Sequence, residues 1–138
     1  MPTSEHDRPA RALVTVGALL GLLAVVAGTF AAHVVPNYLD EQAIQTFETA
    51  VRYHMYDAMA ILGSAWVWTR WPGRVPMLAG IMFMIGAVLF SGSLYVLVAT
   101  DAKWLGMVAP IGGSAMIVGW LLLAIAPFAP AQAQTNAD

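Results

Sequence analysis

Cysteine is absent from this chain, which excludes disulfides, thiolate metal sites and thiol catalysis. Charge is scarce too: Asp, Glu, Lys and Arg make up 10% of the 138 residues, against 59% hydrophobic. A soluble domain carries about 25% charged residues, so this chain cannot cover a surface in water. The six basic residues stand at segment ends, not in a patch, and the net charge is -2, which excludes a nucleic-acid partner. No phosphate-cradling glycine loop, zinc-protease helix or nucleophile elbow occurs, so neither an enzyme nor a cofactor is expected. The lipid bilayer is the partner that remains.

Four apolar stretches are long enough to cross it, since about 20 helical residues span the hydrocarbon layer. They run over residues 12–34, 50–71, 76–98 and 104–128. The expected fold is an all-α integral membrane protein, with four transmembrane helices in an antiparallel bundle. Arg8 and Arg11 precede the first span, Trp66, Trp68, Arg70, Trp71 and Arg74 crowd the turn after the second, and Lys103 and Trp104 open the fourth. Aromatic and basic residues favour such interfacial depths, and the bias of arginine to one side predicts that both termini are cytoplasmic. Residues 1–11 then form an N-terminal tail and residues 129–138 an irregular C-terminal one. The first 33 residues also have the outline of a signal peptide, but the run is long and further spans follow it.

Between the first two spans, residues 36–48 are polar but patterned. Leu39, Ala43, Ile44 and Phe47 recur at helical spacing opposite Asp40, Glu41, Gln42 and Gln45, which predicts a short interfacial amphipathic helix. No Gly or Pro lies between Asn37 and Ile61, so the alternative is a helix that runs on into the second span.

The chemistry concentrates around Asp57, an acid at bilayer depth. Such a group costs about 2.5–3.5 kcal/mol to insert and marks a functional site by default. From the helical rise, Asp57 lies about 5 Å outward of its span's midpoint, His54 about 9 Å, and Ser91 and Ser93 about 6 and 9 Å. His33 falls nearer the outer interface, and Pro110, Gly112 and Gly113 reach a level similar to the serines. The polar positions of all four spans are therefore expected in one leaflet. Tyr53 and His54 stand four and three residues before Asp57, so all three can face one interior. An intramembrane polar cluster of His33, Tyr53, His54, Asp57, Ser91 and Ser93 follows, with His54 the nearest partner for Asp57. Glu48 and Arg52 form a separate interfacial i,i+4 pair, about 140° around the helix from Asp57. His33, His54 and Asp57 lack the spacing of any recognised ligand set, so no metal is expected.

Small residues predict close packing. Gly17, Gly21 and Gly28 form a smooth seam on the first span, and Gly92, Gly112, Gly113 and Gly119 mark the third and fourth. Pro110 frees the carbonyl of Gly106, which predicts a kink in the fourth helix.

Four blocks, in order, resemble the small membrane family called domain of unknown function 423. They are Gly28-Thr29-Phe30-Ala31-Ala32-His33, Phe47-Glu48-Thr49-Ala50-Val51-Arg52-Tyr53, Phe90-Ser91-Gly92-Ser93-Leu94-Tyr95, and Pro110-Ile111-Gly112-Gly113 with Gly119-Trp120. The likeness runs from about Gly21 to Ala124 and implies a bacterial inner-membrane protein, with no activity attached. The family pattern has Gln at the place of His54 and His at that of Asp57, so the polar positions are kept while their chemistry is exchanged. Two functions fit these observations, the first being the leading expectation and the second its alternative. One is a structural or accessory subunit, packing through its glycine seams with itself as a homo-oligomer or with a larger membrane complex. The other is a small proton- or cation-coupled transporter with Asp57 as the titrating group.

Overall fold

The computed structural model describes residues 8–33 and 37–129. Expectations for residues 1–7, for Val34 and Pro36, and for the tail beyond Ala129 lie outside the described residues. Among the described residues every regular element is helical. Helix α1 spans Arg8–His33 and α2 spans Glu41–Arg70. A third rod is made of α3 (Arg74–Gly86), a π-helical turn (Ala87–Gly92) and α4 (Ser93–Thr100). A 3-10 segment, Lys103–Met107, leads into α5, Ala109–Ile125, which ends in a short 3-10 turn.

By length and composition three stretches are able to cross a membrane: Arg8–His33, Arg74–Thr100 and Lys103–Phe128. Helix α2 is the longest of all at 30 residues, but it is too polar along its length to join that group. It shows no separate amphipathic helix; residues 41–48 are its opening turns. Asp40 starts it by accepting the Ala43 N–H at 2.8 Å, and no breaker intervenes before Arg70. Of the two expectations for this segment, the run-on helix is the one found.

The fourth span differs from its expectation as well. Pro110 sits in the first turn of α5, where its missing N–H costs no helical hydrogen bond. The break lies before it, in the 3-10 segment that holds Gly106. There is therefore a fresh helix start, not a kink within a helix.

Packing follows the small residues. On α1 the buried positions are Leu13, Gly17, Ala24 and Ala31, one stripe laid along α2. A Cβ on Gly17 would stand 2.9 Å from the Leu62 side chain, and one on Gly28 would stand 3.4 Å from Val51. On α5, Gly119 approaches the Phe83 ring to 2.9 Å by the same measure. These glycines bring α1 onto α2 and α5 onto α3 within one chain. Gly92 has only its own helix nearby. Two apolar clusters result, one around Leu13, Ile61, Ala79 and Phe83, the other around Ala50, Leu94 and Ala109. Helix α5 packs on the third rod and barely touches α2, so a groove remains between them.

Candidate functional site

Helix α2 buries Ala50, His54, Asp57, Ala58, Ile61, Ser64 and Ala65, a three-and-four spacing that makes one face. His54 and Asp57 occupy this face between the two apolar clusters. Asp57 is 2% exposed and Ser91, across on the π turn, is 1% exposed. The burial is nearly complete.

Their hydrogen bonding is not. His54 Nδ1 lies 3.3 Å from the Tyr95 hydroxyl, while His54 Nε2, Asp57 Oδ2 and Ser91 Oγ are buried with no hydrogen-bond partner in the protein. Most buried polar atoms in folded proteins are paired, and each exception calls for an explanation. Leaving one unpaired costs about 1–3 kcal/mol. By contrast, Ser64 Oγ donates to the Ala60 carbonyl at 2.9 Å, and Ser93 Oγ donates to the Phe90 carbonyl at 3.0 Å. Those two hydroxyls are satisfied by their own helices.

Backbone geometry shapes this place. The π turn carries Ser91, and such turns occur as short insertions within α-helices, often at functional sites. Gly112 of α5 is pressed against the Phe90 N–H and Leu89 carbonyl carbon. Gly86, one turn earlier, faces Asp57: a Cβ there would be 3.4 Å from Oδ2 and 2.6 Å from Met116. Asp57, Met116 and Phe90 form part of the wall of the α2–α5 groove, whose volume is about 460 Å³. Tyr53, Tyr56 and Trp120 also line it, together with Pro110 and Gly113. The Tyr53 ring meets Phe90 at a tilt of 48°, with 4.7 Å between centroids, and meets Tyr56 edge-on at 5.6 Å.

The structure thus brings together Tyr53, His54, Asp57 and Ser91 and supports them with Gly112 and Gly113. His33 does not join them. It is exposed at the end of α1, where its carbonyl accepts the Asn37 side-chain N–H at 3.1 Å. Ser93 is buried nearby but spends its hydroxyl on its own helix. Glu48 and Arg52 line a different groove, beside Gly28 and Ala31, and no ion pair within 4.0 Å joins them. Exposed pairs of this kind are worth about 0–1 kcal/mol, too little to fix two long side chains. Among the described residues no three His, Asp or Glu side chains gather as a metal site would require.

Sequence reasoning missed Tyr95, Gly86, Met116 and Trp120. For Tyr95 a signal existed, because it stands one helical turn after Ser91. Gly86 and Met116 carry no mark that separates them from ordinary packing residues.

Helices of this length and apolarity, with an unpaired carboxyl held inside them, define an integral membrane protein with an embedded polar site. The chain belongs to the family described as protein of unknown function DUF423, whose model matches residues 27–113. It is similar to the UPF0382 membrane protein YwdK of Bacillus subtilis, with 36% identity over 84% of this chain and 95% of that protein. A UPF0382 membrane protein of Haemophilus influenzae is 34% identical, over 83% of this chain and 92% of the relative. One from Staphylococcus epidermidis is 35% identical, over 84% and 94%. No solved structure matches.

Proposed function

We propose that this protein crosses the bacterial inner membrane four times, with both termini cytoplasmic, and works as a small proton- or cation-coupled transporter with Asp57 as the titrating group. One observation carries the reading: Asp57 Oδ2 is buried without a partner, on a residue that lines a groove with no basic residue in its wall. A carboxyl kept only for packing would be paired across the helices, because an orphaned one weakens the fold. A proton or a cation supplies what the protein withholds. The unpaired His54 Nε2 and Ser91 Oγ offer further contacts on the same two faces.

For the membrane topology, α2 supplies about 30 Å of helix from Ala50 to Arg70, with Trp66, Trp68 and Trp71 at one end. Absence of cysteine makes the test clean. A single Gly73→Cys is expected to resist a membrane-impermeant maleimide added to whole cells, and Asp101→Cys to react. Equal labelling at both positions removes the four-span arrangement.

Transport is tested in proteoliposomes with a pH-sensitive dye inside. The parent protein is expected to move protons when a cation gradient is imposed, and Asp57→Asn to abolish that movement. Unchanged flux in the variant, or none in either, removes the reading. An accessory subunit is the second possibility. Its motive was the glycine seams, and Gly17, Gly28, Gly112 and Gly119 pack within the chain. Its remaining support is the exposed apolar outer faces of α1 and α5, which lipid would cover equally well.

A further inference from the structure

We infer that the α2–α5 groove binds an amphiphilic organic ammonium cation, with Asp57 as counter-ion and an aromatic wall as cage. This rests on the reading of Asp57 as a working group and adds the class of solute. Tyr53, Tyr56, Phe90 and Trp120 all line the groove that Asp57 lines. Their rings carry negative faces, and a cation within about 6 Å of such a face is attracted most strongly where water is excluded. Tyr53 is 38%, Tyr56 55% and Trp120 57% exposed, so these rings are open to an incoming solute. The rings are also held in place: Tyr53 packs at a tilt against Phe90 at 4.7 Å, and Trp120 meets Phe83 edge-on at 5.2 Å.

Charge complementarity selects the occupant. Asp57 is 2% exposed and its carboxyl has no resident cation, since Arg52 lines a different groove on α2. A volume of about 460 Å³ falls among pockets for small organic ligands, about 300–1,000 Å³. An inorganic ion would use the carboxyl and leave the rings idle. A neutral apolar molecule would use the rings and leave the carboxyl unpaired. An organic ammonium with an apolar body satisfies both, and the groove's position between two membrane helices admits it from the bilayer.

The test uses the full chain in nanodiscs of phosphatidylglycerol and equilibrium dialysis of labelled benzyltrimethylammonium. Its uncharged isostere, neopentylbenzene, is the control. Saturable binding at one site per chain is expected, weakened at least about tenfold by Asp57→Asn and about threefold or more by Trp120→Leu. The Trp120 variant lies on the exposed wall, so it keeps the test open should Asp57→Asn fail to fold. Neopentylbenzene is expected to bind with no dependence on Asp57. Absence of saturable cation binding, or binding indifferent to both substitutions, overturns the inference. Repeating the measurement in discs of digalactosyldiacylglycerol, which brings neither an anionic nor an ammonium headgroup, is expected to leave Kd within about twofold; loss of binding there assigns the site to an anionic lipid headgroup and also overturns it. Asp57-dependent binding without flux upholds this inference and removes transport. Asp57-dependent flux without benzyltrimethylammonium binding does the reverse.

Discussion

Asp57→Leu is expected to give a protein that unfolds less readily than the parent while losing all cation-dependent flux. Asp57 Oδ2 is buried without a hydrogen bond, and removing such an atom relieves about 1–3 kcal/mol. Replacing buried ionisable groups by apolar ones of similar shape has often been neutral or stabilising. Leucine is larger than aspartate, but the groove lies alongside, and Met116, which is flexible, forms the adjoining wall. The added carbons therefore have somewhere to go. Denaturant titration in micelles, followed by helical circular dichroism, measures the change. The sign decides the matter. A loss of stability of similar size means that the carboxyl is paired in the folded protein, and both the site and the transport reading then fall. A gain joined to lost flux is the pattern of a group kept for work at the expense of the fold.

That group was legible in the sequence because burial and charge conflict there. Asp57 stands between Tyr53-His54-Met55-Tyr56 and the apolar run Ala58-Met59-Ala60-Ile61-Leu62, and an acid at such a place is conspicuous without any structure. The first and third spans were legible for the same reason, as uninterrupted apolar runs. Depth along the helix alone misplaced His33. It was expected on the same side, nearer the outer interface, but it lies two residues beyond the buried Ala31, about 200° around the helix, and so points away from α2. The angle was there to be read. The π turn was not, since Ala87-Val88-Leu89-Phe90-Ser91-Gly92 has nothing that an α-helix would refuse. The start of α5 was hidden differently: Trp104 to Ala109 is apolar throughout apart from a glycine, so no polar cap announces the break before Pro110. Within a membrane the usual punctuation of helices is missing, and only the proline remained as a sign, readable as kink or start.

Gly112 should be the least replaceable glycine of the chain. None of the described glycines has a positive φ, so they serve by leaving space and not by adopting a special backbone shape. A Cβ on Gly112 would strike the Phe90 backbone N–H, with Leu89 carbonyl carbon at 2.9 Å. Backbone has no rotamer to change, so the π turn or α5 itself must move. Gly112→Ala is expected to cost about 3 kcal/mol, the upper end of what overpacking usually costs. Gly119→Ala would meet first the Phe83 ring, at 2.9 Å, a side chain and not backbone, so its cost should be smaller. Gly63 has nothing within 4 Å of its added Cβ and lies inside α2, so Gly63→Ala should stabilise by about 1 kcal/mol. Denaturant titration of the three variants gives the order directly. The same displacement carries a functional consequence, because Phe90 belongs to the groove wall and Ser91 to the unpaired cluster. Gly112→Ala in protein that still folds is therefore expected to weaken flux, whereas Gly63→Ala leaves it unchanged. If Gly112→Ala proves as harmless as Gly63→Ala, α5 does not rest on the π turn, and the wall opposite Asp57 lacks the rigidity that holding a cation requires.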